Sequence, residues 1–163
     1  MGGNPPPPFD AYRIRVDGLA TVLKKLPNIK AYVHPEDIHE IMKANPETTI
    51  DRFQPTVDGF TLTLPLGSPP EQASTSLKFI HTPGHTPGSQ CILLGNASLF
   101  SGDTIFVGSC GRMDFPESNP NHMWDSLSFT LKGLDDSVIN RFDAKEKLTC
   151  RLVCIRDTHI MET

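Results

Sequence analysis

Apolar and polar positions change rhythm along the chain, and each change predicts an element. From Asp17 the residues Leu19, Val22, Leu23 and Leu26 recur at helical spacing, with Asp17 placed as N-cap and Pro27 as the stop. Ala31-Tyr32-Val33 reads as a short strand. Pro35-Glu36-Asp37 opens a second helix: proline suits its first position, and two acids favour the positive end of its dipole. Ile38, Ile41 and Met42 give that helix one buried face. After Asn45-Pro46 the period falls to two, and Phe60-Thr61-Leu62-Thr63-Leu64 alternates as a half-buried strand does. Leu77-Lys78-Phe79-Ile80, Gln90-Cys91-Ile92-Leu93-Leu94 and Ser98-Leu99-Phe100 predict three more strands, separated by turns rich in Pro and Gly. Asn119-Pro120 caps a third helix with Met123, Leu127 and Leu131 on one side and Trp124 adjacent. Helix and strand regions on either side of a run of strands predict an α/β fold layered on a sheet.

The two ends lack this order. Residues 1–9, with four consecutive prolines, read as a disordered, polyproline-like arm. Val138-Ile139 has strand character, but 140–163 carries no usable periodicity. The expected organisation is therefore a Pro-rich arm over 1–9, one α/β domain over 10–139 and a divergent tail over 140–163.

Charge and composition narrow the function classes. Fifteen basic and 19 acidic residues are well mixed and give a net charge of −4, which argues against nucleic acid or an anionic membrane as partner. No apolar stretch is long enough for a membrane span, and the N-terminus lacks the basic and apolar regions of a signal peptide. Cysteines at 91, 110, 150 and 154 form neither a Cys-x-x-Cys pair nor a disulfide framework, so reduced thiols and a cytoplasmic location are expected. Cys91, inside an apolar strand, reads as a small core residue.

The candidate chemistry lies in His81-Thr82-Pro83-Gly84-His85-Thr86-Pro87-Gly88-Ser89 and, after two strands, Ser101-Gly102-Asp103-Thr104. Pro-Gly turns on both sides of His85 fix one imidazole at a strand end, and Gly102 lets the chain turn sharply into Asp103. Neighbouring strand ends can bring such side chains to a common ion, so His85 and Asp103 are the candidate metal ligands. The turn between His81 and His85 rules out same-face helical pairing, and His81 reads as a strand-end residue. His34 and His39 read as ordinary surface or partly buried residues beside a helix. No catalytic residue and no residue binding an organic cofactor is assigned.

These segments, with Leu99-Phe100-Ser101-Gly102-Asp103-Thr104-Ile105-Phe106 and Gly108-Ser109-Cys110-Gly111-Arg112-Met113-Asp114, resemble the metallo-β-lactamase superfamily. The resemblance is to its glyoxalase II (hydroxyacylglutathione hydrolase) and persulfide dioxygenase branch, clearest over 77–139. It implies a partial αββα sandwich, a metal-dependent hydrolase of the thioester or ester class, and Zn2+ or Fe2+ as cofactor. It makes His85 and Asp103 metal ligands, Asp103 bridging two ions in binuclear members. It sets Cys110-Gly111-Arg112 beside the active-site cleft, where Arg112 either meets an anionic group or pairs with Asp114 or Glu117.

The chain also departs from that pattern. The family's His-x-His-x-Asp-His motif supplies most ligands and the water-assisting aspartate, yet the histidines at 34, 39, 81, 85, 122 and 159 include no pair separated by a single residue. Where the family ends on Tyr-Pro-Gly-His, this chain reads Asn140-Arg141-Phe142-Asp143, and His159 follows no such turn. The expected outcome is a hydrolase impaired or inactive as this chain, with metal weakly bound or absent. The alternatives are a non-catalytic truncated or regulatory relative, and a mononuclear iron oxidoreductase like the persulfide dioxygenases. Missing flanking strands would leave Leu62, Leu64, Phe79, Ile80, Ile92, Leu94 and Phe100 partly exposed and open to a protein partner or self-association.

Overall fold

The computed structural model describes residues 16, 18–65, 74–106, 108–135 and 137–140. The arm over 1–9 and the tail beyond residue 140 lie outside them. Helix α1 spans Leu19–Lys25 and buries Leu19 and Leu23. Gly18 holds its N-cap position with no side-chain bond, and the expected cap Asp17 lies outside the described residues. Leu26, expected in the core, stands at the C-cap and is 51% exposed, because the helix ends one residue earlier. Arg52 collects the carbonyls at this end, donating to Leu23, Leu26 and Ile29 at 3.0 Å each.

Strand β1, Ala31–Val33, leads into α2, Pro35–Ala44, whose N-cap is His34 and whose first position is proline. Strand β2, Phe53–Pro55, lies parallel to β1 with Ala31 opposite Phe53. These elements share one apolar cluster, in which Leu19, Leu23, Ala31, Val33, Ile38, Ile41 and Phe53 are buried.

Among the described residues a second, five-stranded sheet follows. It comprises β3 (Thr61–Pro65), β4 (Ser74–His81), β5 (Gln90–Leu94), β6 (Ser98–Phe100) and β7 (Ile139–Asn140), in that spatial order. β3 to β6 are antiparallel neighbours, and β7 joins β6 in parallel. The continuous apolar run of β5 has a direct cause: both of its faces are covered. Cys91 and Leu93 pack with Ile80, Leu99 and Leu131 on one face; Ile92 packs with Leu77 and Phe79 on the other. Helix α3, Pro120–Asp125, is capped by Asn119, whose side chain accepts from the backbone of Asn121 and His122, and it continues as a π-helical segment over Ser126–Leu131.

The expected exposure of the sheet is corrected in part. Phe79, Ile80 and Ile92 are buried, while Leu62, Leu64, Leu94 and Phe100 are half-buried. Tyr32 from β1 stacks on Phe79 with ring centroids 6.1 Å apart, and Phe60 meets Phe79 edge-on at 5.7 Å. Those rings cover the middle of the face that the pattern of strands left open. No helix among the described residues is long and apolar enough to cross a membrane.

Candidate metal centre

The loop that carries His85 joins β4 to β5 and is held from three sides. Within it, Thr82 N–H donates to Ser89 O at 2.8 Å, and Thr86 N–H donates to Ser89 Oγ at 3.0 Å. From the α3 side, Asn119 N–H bonds Gly84 O, Ser118 Oγ bonds His85 O, and Ser126 Oγ bonds Pro83 O, at 2.8, 2.7 and 2.8 Å. Gly84 permits that approach: its φ is +147°, and a Cβ there would lie 2.5 Å from the Met123 Cα. From the α2 side, the buried carboxylate of Asp37 accepts from Thr86 Oγ1 at 2.8 Å and Gly88 N–H at 2.9 Å. His85 thus stands on a backbone fixed at its own residue and at both neighbours.

Asp103 arrives from the other strand end. β6 stops at Phe100, and Gly102 takes a left-handed φ of +53° that turns the chain back. Gly111 N–H bonds Asp103 O at 2.9 Å. A side chain at Gly111 would collide with that carbonyl and come within 3.1 Å of His85 Nδ1, so glycine is required where the two loops meet.

The two expected ligands are brought together. His85 Nε2 lies 3.4 Å from Asp103 Oδ2, with the side chains 4% and 5% exposed. His85 Nδ1 lies 2.7 Å from the Arg112 carbonyl. A carbonyl accepts only, so Nδ1 carries the proton and Nε2 is the nitrogen that faces Asp103. A ligating histidine is oriented in this way, with its second nitrogen tied to a backbone carbonyl. Phe115 packs edge-on against the imidazole at 5.5 Å.

Arg112 resolves in favour of one expected alternative. Its guanidinium grips Asp114 through two bonds, at 2.9 and 2.6 Å, and lies over Phe115. That hydrogen bonding holds Asp114 below the usual carboxylate range and Arg112 above its ordinary value; both are exposed. Cys91 is buried as expected, and burial pushes its thiol up to about 11, which makes it inert.

His81 ends β4 as expected and takes no part in the His85–Asp103 pair. Its ring stacks on His34, which is buried rather than at the surface, with centroids 4.0 Å apart and planes 11° from parallel. His39 is exposed beside Glu40. Burial lowers the His34 pKa, and the neighbouring charge of His81 lowers it further, against weaker opposing effects from Glu36, Asp37 and Asp58. The fold therefore prefers neutral His34, and the unfolded chain takes up the proton more readily. Stability should be complete above about pH 6.5 and fall as pH drops below it. Urea midpoints at pH 7 and pH 5.5 check this, and His34→Gln should narrow the difference between them.

Sequence reasoning missed two features of this region. Asp37 reads in the sequence as a helix-dipole partner, and nothing in spacing connects it to Thr86, 49 residues away. The meeting of His34 with His81 likewise has no local signal.

Residues 18–151 match the family model of the Metallo-beta-lactamase superfamily. The chain is similar to the hydroxyacylglutathione hydrolase of Shewanella sp. (strain ANA-3), 40% identical over 84 residues that take in 52% of this chain and 27% of that protein. It spans between about a fifth and two fifths of the length of the curated relatives it matches. Among solved structures it resembles TTHA1623 in a di-iron-bound form, with a TM-score of 0.57 and 26% identity over 72% of this chain and 58% of that one. It also resembles a metallo-beta-lactamase from Staphylococcus aureus subsp. aureus COL, with a TM-score of 0.55 and 28% identity over 76% of this chain and 36% of that one.

Proposed function

The chain belongs to the metallo-beta-lactamase superfamily, and from that premise we propose that it carries part of the metal centre of a glyoxalase II-like thioester hydrolase. The observation that carries the reading is the buried His85–Asp103 pair, with Nε2 and Oδ2 3.4 Å apart and Nδ1 tied to the Arg112 carbonyl. These residues fit a divalent ion as two of its protein ligands. Imidazole nitrogen with carboxylate oxygen suits Zn2+ and Fe2+ alike. When bound, such an ion supplies Lewis acidity that brings the pKa of a water from its bulk value to about 7.

The protein's own residues supply orientation. The Arg112 carbonyl fixes the imidazole tautomer, Gly111 allows the two loops to close together, and Phe115 shields one side of the ring. Asp37, Ser118 and Asn119 hold the histidine loop so that little ordering is left for binding to supply. The substrate class follows from the relatives: the hydroxyacylglutathione hydrolases are named for a glutathione thioester, and a small thioester or ester is proposed here. A cytoplasmic location accords with that chemistry.

As this chain stands, the proposed centre is incomplete. No His-x-His-x-Asp-His segment occurs in the 163 residues, so neither its paired histidines nor its aspartate is present to hold and deprotonate the attacking water. That observation favours a second reading, a non-catalytic relative of the fold. The experiment is an assay of glutathione thioester hydrolysis with added Zn2+ or Fe2+, on the chain and on Asp103→Asn. No turnover above buffer in either is expected. Metal-dependent turnover that disappears in Asp103→Asn would contradict the impairment and establish a working hydrolase.

A further inference from the structure

The stacked imidazoles of His34 and His81 take no part in the His85–Asp103 centre, yet they converge with a carboxylate. One ring nitrogen from each histidine and one oxygen of Glu36 all lie within 4.8 Å of one another. We propose that His34, Glu36 and His81 form a second metal site, separate from the family centre, which takes a borderline divalent cation such as Zn2+ or Cu2+.

The donor set is the first argument. Two imidazoles and a carboxylate leave a fourth position open to water, as in three-ligand zinc sites. The second is anchoring. The His34 backbone is fixed at the N-cap position of α2, and His81 is fixed in register opposite Gln90, its N–H bonded to Asp58 Oδ1 at 2.9 Å. His81 Nε2 donates to the Pro87 carbonyl at 2.8 Å, which leaves Nδ1 as the ring atom for an ion and supplies the outer partner typical of a ligating histidine. The third is adaptability. His34 Nδ1 meets Glu36 N–H at 3.4 Å, too long to hold the ring firmly. Tetrahedral ligands about 2.0–2.2 Å from an ion stand roughly 3.3–3.6 Å apart, so the group must close by about an ångström. Glu36 is exposed and supplies part of that movement from the solvent side, and the stacked rings, 11° from parallel, must also tilt for their in-plane lone pairs to meet at one ion.

Calorimetric titration of the metal-free chain with Zn2+, repeated with Cu2+, tests this in wild type, Glu36→Gln, His81→Gln and His85→Ala. Circular dichroism of each variant checks folding, and His34 is left intact because it caps α2. The expected result is a binding event that survives His85→Ala, weakens at least about tenfold in Glu36→Gln and is lost in His81→Gln. Should His81→Gln fail to fold, the exposed Glu36→Gln decides. No binding in the wild type, binding unchanged in Glu36→Gln, or a single event lost only in His85→Ala would each overturn the proposal.

Discussion

Asp37→Ala is expected to lower folding stability by about 3 kcal/mol, a large share of what a domain of this size possesses. Asp37 is 1% exposed, and its carboxylate accepts from Thr86 Oγ1 and from Gly88 N–H, on the residues just after His85. Alanine leaves both donors in a space from which water is excluded. Thr86 can turn its hydroxyl to Ser89 Oγ at 2.8 Å, but Gly88 N–H has no such recourse in its described bonds. Gly88 also packs so closely that a Cβ there would lie 2.6 Å from the Asp37 carboxyl carbon, so truncation opens a gap as well. An orphaned buried donor costs about 1–3 kcal/mol, and the lost charge-assisted bond adds to it. Asp37→Asn keeps one acceptor and should lose roughly half as much. Urea unfolding with an unchanged m-value checks both. A loss below about 0.5 kcal/mol, the size of an ordinary surface change, would show that the α2 side does not hold the loop.

The elements that the sequence made legible are those whose stability is local. β5 and β6 fall where their apolar runs stand, and α3 begins at Pro120 because Asn119 caps it, a motif confined to a few residues. β2 gave no signal: three residues ending in proline become a strand only because Phe53 is buried and β1 lies alongside. Leu26 matched the helical period but left the core, since a spacing rule does not see the helix end at Lys25. Phe79 and Ile92 were expected to be half-open because their cover, Tyr32 and Phe60, comes from segments earlier in the chain.

The candidate site divides in the same way. His85 and Asp103 were legible because turn chemistry announces a histidine between two Pro-Gly pairs and an aspartate after Ser-Gly, and the family resemblance gave them a role. Their supports were not. Asp37 reaches Thr86 across 49 residues and Ser126 reaches Pro83 across 43, and such pairings exist only once the layers have packed. The stack of His34 on His81 belongs to the same class, because an N-cap and a strand end share no pattern.

Zinc at the His85–Asp103 pair is expected to bind weakly, and to be lost altogether in His85→Ala. One imidazole and one carboxylate supply half of a tetrahedral sphere and leave the rest to water, where structural zinc sites use four protein ligands. The pair is nonetheless ordered before any ion arrives, since the Arg112 carbonyl sets the tautomer and the loop is clamped from α2 and α3. Weak but site-specific binding follows from these two facts together. The most direct measurement is a zinc titration followed through the imidazole nitrogens in long-range proton–nitrogen spectra, which separate His85 from His34 and His81. His85 Nε2 should shift with added zinc while Nδ1 keeps its proton, and Asp103→Asn should abolish that response. A His85 Nε2 signal that stays fixed at saturating zinc, or that shifts equally in Asp103→Asn, would contradict a shared metal centre at these two residues.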